Sequence, residues 1–389
     1  MFLFILSLVL HVHAGGSIAA ALDSARTVYA QRGEKTTILI EPGTYQEELT
    51  IDIPGIRLVN ASRHPSIALK DGGVHCDGNA VRLTWYYGHG YQYRSMGSRI
   101  NYGGSRERRW NASVLVTAPD FYAENIIFEN SFNLYVSEKE ALDEATPILP
   151  AEGGKGRVMP VRPKKAGSTE VQLKTYRERA AAISFTETAL RAHLNNCRAV
   201  GRQDVLYGDE GASVYWQGGV LQGGVDFIFG AMTMAVDRAT IVANINGEKE
   251  DKCYISAGRG GEEKRHRGLL FYKCHIRLAT AEELVNLSFN FERSGLSTLS
   301  EAVYLARPWR WWGETVWAYT TWDEGILNPE GWHTGLVEKK PGFNPQNPCP
   351  NSYEYQSQDR SIGRPEWVTV LPKPTLPDGT KLTPRAWLK

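Results

Sequence analysis

Two aspartates 22 positions apart constrain the fold of this chain more than any other feature. They are Asp204, in QDVLY, and Asp226, in GVDFIFG, within the glycine-punctuated segment Gly201–Gly230. A repeat of about twenty-odd residues is one coil of a β-solenoid, in which each coil contacts only its neighbours. Residues one coil apart then lie on adjacent parallel strands, about 4.8 Å from each other. Two carboxylates held that close resist ionising together, so their proton affinities separate. Such a pair would offer one charged carboxylate and one protonated acid.

The rest of the chain keeps the same rhythm. Short β-rich runs such as TTILIEPG, IRLVNAS, SVLVTAPD, AAAISFTET, TMAVDRATIVA and AVYLARPW are divided by Gly, Asn, Asp and Pro turns. FYAENIIFEN, LRAHLNNCRAV and LLFYKCHIRLA share a finer pattern: an aromatic or aliphatic residue, a short interval, Asn or Cys, then a β-branched residue. A self-similar period of this kind predicts an all-β chain folded as a right-handed parallel β-helix. A β-sandwich also spaces its strands evenly, but it does not repeat the pattern within them. Ser17 to about Gln31 reads as an amphipathic helix, with Ile18, Leu22, Ala25 and Tyr29 on one face and Ser17 as its cap. An open solenoid end exposes unpaired strand edges, and such a helix would cover them. Gly88–Trp110 and Glu138–Lys174 interrupt the rhythm and read as long excursions. The Pro- and Asn-rich stretch after Pro341 is expected to wrap irregularly along the outside.

Composition narrows the function classes. A net charge of +1 over 389 residues gives no basic footprint for nucleic acid. The five cysteines form no CxxC pair, so no zinc or redox site is expected, and Cys197 and Cys274 read as small apolar residues of the coil interior. The apolar run Phe2–Val12, followed by V-H-A, reads as a secretory signal over residues 1–14, leaving residues 15–389 as one domain. A first buried strand is the alternative. Sequons stand at Asn60, Asn111 and Asn286.

Five blocks, in order, carry a family resemblance. They are EPGTYQEEL at Glu41–Leu49, QDVLY, GVDFIFG, YLARPWR at Tyr304–Arg310 and NPEGW at Asn328–Trp332. Together they resemble the pectin methylesterase family from about Gly16 to Gly335. The resemblance implies a β-helix carbohydrate esterase that removes the C6 methyl ester of galacturonate in pectin. It implies Asp226 as nucleophile, Arg307 as the arginine bound to it, Asp204 as general acid and base, and Gln203 as an oxyanion donor. Trp309, Tyr207 and Phe227 would meet the substrate, and Phe227 and Phe229 would dry one side of Asp226. No metal or organic cofactor is implied. A secreted monomer acting on pectin, with neither nucleic acid nor membrane as partner, is expected.

One block departs from the pattern. Where the family has QAVAL, with a second oxyanion glutamine, this chain has RAAAI at Arg179–Ile183, preceded by Glu178. An arginine there can donate to an oxyanion, bind a substrate carboxylate, or pair with Glu178. The TAQGR block is also changed, to ISAGR at Ile255–Arg259. These changes keep open an esterase or thioesterase acting on another acyl group, or a silent glycan-binding β-helix.

Overall fold

The computed structural model describes residues 8–99, 109–148, 158–245, 252–260, 266–285, 302–358 and 363–389. The chain winds as a parallel β-helix in which successive coils feed three sheets. Among the described residues these sheets hold eleven, eight and seven strands. One coil gives Ala192–Asn195 to the first sheet, Arg198–Val200 to the second and Leu206–Gly208 to the third. The next coil repeats the plan with Ser213–Gln217, Val220–Gly223 and Val225–Gly230. Leu206 pairs with Ile228, so this coil has the 22-residue length read from the aspartates.

The shared Asn/Cys pattern marks the bend from the first sheet to the second. Asn125, Asn196 and Lys273 each take a left-handed backbone there, with φ of 56°, 48° and 56°. Asn adopts this region more readily than most residues, because its short side chain bonds locally. Asn196 Nδ2 donates to Asn125 Oδ1 at 2.6 Å, which ties two coils at the bend. Cys197 and Cys274 come next and point into the core. All five cysteines are free thiols, and burial pushes those of Cys197 and Cys274 up to about 12.

The interior is built in columns. Ile38, Leu58, Ala123, Leu194, Trp216, Val236, Phe271 and Trp317 follow one another in register through the first sheet, all fully buried. The last two rings stack with centroids 3.8 Å apart. Burying a large apolar side chain is worth about 1.5–3 kcal/mol, so each coil is held mainly by such neighbours above and below. Glycine is required where coils press closest: a side chain on Gly230, φ 114°, would meet the Gly208 carbonyl at 2.2 Å.

Helix α1, Ile18–Arg32, caps the first coils as expected. Ser17 Oγ accepts from Ala20 N–H at 3.1 Å, and Ile18, Leu22 and Ala25 are buried. Glu47 accepts from the N–H groups of Ile18 and Ala19, two more of the donors that a helix start leaves open. Leu8–Val12 is a strand, paired in parallel with Thr36–Ile40. This is the conformation named as the alternative for the apolar run. The irregular wrap expected after Pro341 is corrected in part, because Ser352–Tyr355 and Thr369–Val370 extend the first sheet. The buried amides of Asn60 and Asn111 do not suit glycosylation; Asn60 Nδ2 donates to the Asn79 carbonyl at 2.8 Å. Asn286 lies outside the described residues.

Both excursions leave the helix at one corner, between the second and third sheets. The first runs from Val81–Trp85 to Val114–Val116, and the second from Ile126–Asn130 to Ile183–Phe185. They pair with each other, Tyr91–Tyr93 antiparallel to Ala145–Pro147. Within the second, Arg162 Nη2 pairs with buried Glu140 Oε1 at 2.7 Å, and its guanidinium lies 4.3 Å from the centre of the Phe132 ring and 5.5 Å from that of Tyr91 in the first.

Candidate active site

The same corner carries the two aspartates. Backbone bridges stack Arg179, Gln203 and Val225 on successive coils. Asp204 N–H donates to the Val225 carbonyl at 3.0 Å. Asp204 and Asp226 each follow a bridged residue, so they stand on neighbouring coils, about one strand spacing of 4.8 Å apart. Both have left-handed backbones, φ 58° and 47°. Such a conformation costs of order 1–3 kcal/mol and persists where the surroundings fix it, which is common at functional sites.

Against the following coil the register slips between Val225 and Ile228. The slip breaks the in-out alternation of the strand. Asp226 keeps a 9% exposed edge, while Phe227 turns inward and is 1% exposed in the main core. Phe227 therefore does not line the site, and the expectation that it meets substrate is corrected. Phe229, two residues on, is the phenylalanine that belongs to the site face.

Arg307 grips Asp226 with a fork: Nε donates to Oδ1 at 3.1 Å and Nη2 to Oδ2 at 2.5 Å. Two parallel charge-assisted bonds fix the carboxylate plane as well as its charge. The guanidinium lies 4.0 Å from the centre of the Tyr254 ring, which holds it from one face. Among the described residues, none holds Asp204 in such a fork. Burial, then the charge of Asp226, pushes its carboxyl well above the usual carboxylate range. Burial also raises Asp226, but there the Arg307 charge and fork work against it. Of the two, Asp204 is the one built to hold a proton and Asp226 the one built to carry charge.

Gln203 is partly exposed beside Asp204, and among the described residues no hydrogen bond engages its amide. Arg179, one coil back, is partly buried. Its Nε donates to Glu178 Oε1 at 2.8 Å, and its guanidinium lies 5.4 Å from the Trp110 ring centre. The Arg179 carbonyl accepts from His89 N–H at 3.0 Å and from His89 Nδ1 at 2.9 Å. That second bond places the imidazole proton on Nδ1. Burial, with the nearby Arg179 charge, holds His89 down at about 4, so it is neutral.

An aromatic group adjoins the carboxylates. Tyr207 and Phe229 sit in register on successive coils, with ring centres 4.9 Å apart. Trp110 packs on both, and Trp309 on Phe229. Tyr207 donates its hydroxyl to Asp209 Oδ1 at 2.5 Å, and Arg109 Nε donates to the other oxygen. Trp311 and Trp312 serve the scaffold, donating to the carbonyls of Pro341 and Arg259. Beyond Arg307, Tyr254 and Tyr304 stack at 5.2 Å with His333 against both. Sequence reasoning missed His89, Trp110, Tyr254 and His333. Two of these had a nearby signal: Tyr254, next to ISAGR, and His333, next to NPEGW. Among the described residues no three His, Cys, Asp or Glu side chains gather as metal ligands.

Residues 170–340 match the sequence model of the family described as Pectinesterase. Pectinesterase 31 of Arabidopsis thaliana is 29% identical over 57% of this chain and 48% of its own length. Probable pectinesterase A of Aspergillus niger is 29% identical over 41% of this chain and 42% of its own. The chain thus spans about half, or less, of the length of these relatives. Solved pectin methylesterases share the fold at low identity. One in complex with a hexasaccharide has a TM-score of 0.60 at 19% identity, covering 92% of each chain. The carrot enzyme has a TM-score of 0.58 at 18% identity, covering 93% of this chain and 88% of its own. The central segment that carries the carboxylate pair and its arginine is thus similar to pectinesterases, and the fold is that of solved pectin methylesterases.

Proposed function

We propose that this chain hydrolyses the C6 methyl esters of galacturonate in pectin, releasing methanol and free carboxylate. One observation carries the reading: a buried aspartate pair in which, among the described residues, an arginine fork holds Asp226 and none holds Asp204. Asp226 attacks the ester carbonyl carbon. The oxyanion that forms is held by the Gln203 amide and by Arg179, one coil away. As the tetrahedral species collapses, the bond to the methoxy oxygen breaks and Asp204 gives that oxygen its proton, so methanol leaves. Water then attacks the acyl-enzyme, Asp204 takes its proton back, and Asp226 is freed. Trp309 and Tyr207 are the aromatic contacts for sugar.

The substrate class rests on the family and on the aromatic group beside the carboxylates. Export, through the apolar run before Gly15, fits a cell-wall polymer as substrate, and N-terminal sequencing of protein from its native source tests it. Action as a monomer, with no nucleic acid or membrane partner, completes the reading. Among the described residues no helix is long and apolar enough to cross a membrane. Methanol release from highly methylated pectin tests the activity directly. Asp226→Asn should lose several orders of magnitude in kcat, as loss of a covalent nucleophile does, while keeping the fold. A variant retaining more than about a tenth of the wild-type turnover removes Asp226 from the nucleophile role.

A further inference from the structure

Trp309 keeps a partly exposed surface for a sugar, yet the side of it toward Trp110 is already taken. Trp110 meets it edge-on, with ring centres 6.0 Å apart and planes at 72°. Phe229 lies 6.2 Å away, and the guanidinium groups of Arg259 and Arg310 lie 5.5 and 5.4 Å from the ring centre. A sugar stacked on an indole needs a clearance of about 3.5–4.0 Å over the whole face, between surfaces in van der Waals contact. Two indoles touching edge to face leave no such slot between them.

Trp110 is held there by its backbone. Arg109, Trp110 and Asn111 are three consecutive residues with left-handed backbones, φ 38°, 67° and 56°. The Trp110 carbonyl accepts from Ala181 N–H at 3.0 Å, and the Arg109 carbonyl accepts from Ser184 Oγ at 2.9 Å. Arg109 is anchored at the other end of its side chain by Asp209. The indole reaches from Trp309 across Tyr207 and Phe229 to Arg179 and His89. A strained, bonded turn that aims one large ring across the aromatic end of a site is a wall.

We infer that Trp110 is a specificity-determining residue: it fills the place a sugar would take against Trp309 and limits how many sugar units the site accepts on that side. The inference rests on the esterase reading above and names its substrate class as short or chain-terminal galacturonides. Trp110→Ala should open the aromatic end, and Trp110→Phe should keep it closed.

Calorimetry with fully de-esterified oligogalacturonides of graded length tests this with ligands that the enzyme does not consume. In the wild type, affinity should stop rising at a short length. In Trp110→Ala it should go on rising, until the longest oligomer binds at least about ten-fold more tightly than to wild type. Trp110→Phe should keep the wild-type limit. Wild-type affinity that climbs steadily to the longest oligomer overturns the inference, whether or not the alanine variant folds. So does weaker binding of long oligomers by a folded Trp110→Ala, since Trp110 would then be a stacking platform. A length limit without methanol release from any methylated oligomer would sink the esterase reading and leave the wall standing.

Discussion

Two arginines flank the carboxylate pair, and they are held in different ways. Arg307 comes from the helix proper: its strand Val303–Ala306 belongs to the third sheet, its fork closes on Asp226, and Tyr254 backs it. Arg179 sits where the second excursion rejoins the coils. Its partners are the adjacent Glu178 and, from the first excursion, Trp110. The first arrangement depends on the solenoid period, and the second on two insertions meeting at one corner. The difference teaches that the coils fix the reacting pair, while the excursions decide what stands around it.

The largest effect expected is on the Arg307 side. Arg307→Lys keeps the charge but loses the fork, since a lysine is a point charge without the planar pair of donors. Its kcat should fall about a hundred-fold or more with little change in KM, because the misoriented group is the proposed nucleophile. Near-normal kcat in that variant would make the fork irrelevant and erase the contrast between the two arginines.

A smaller effect is expected at Arg179. If it serves the oxyanion, Arg179→Ala should lower kcat and kcat/KM together by about ten- to a thousand-fold. Arg179→Gln, which puts a neutral donor in its place, should keep much of the activity. A rise in KM alone, relieved neither by the glutamine nor by lower salt, would assign Arg179 to substrate binding. Unchanged kinetics would leave it a partner of Glu178 and nothing more.

The smallest effect concerns stability and pH. The folded-state carboxyl of Asp204 is raised by burial and by Asp226, so the native state keeps a proton that the unfolded state releases. Its contribution is fully present below the unfolded value of about 3.9 and is lost as pH rises toward the folded value. Asp204→Asn cannot lose that proton. Its Tm should therefore gain on the wild type as pH climbs above the ordinary carboxylate range. Parallel Tm-versus-pH curves for the two proteins would mean that the two carboxylates do not compete for charge.

The sequence already held the solenoid, because period is a local property. A 22-residue repeat, the Asn/Cys bend and the capping helix with Ser17 at its start each arise from residues close together in the chain. Asp204 and Asp226 were legible as a pair for the same reason, since a coil length converts directly into spatial adjacency, whereas Arg307, 81 residues from Asp226, was named only by the family resemblance. Phe227 was misread because it was placed by its adjacency to Asp226 in the motif, although neighbouring residues of a strand face opposite sides. Nothing in the residues around Val225 announces the register slip before Ile228, beyond which Phe229 comes to the site face.

Tertiary structure alone decided the rest. Trp110 and Arg179 are 69 residues apart in a chain whose coil is far shorter, and His89 is farther still from Arg179. They meet only because both excursions leave by one corner and pair through Tyr91–Tyr93 and Ala145–Pro147. An insertion has no period, so its length does not say where its side chains will land. The coils could be counted from the sequence, but the contacts between insertions depend on packing and long-range pairing.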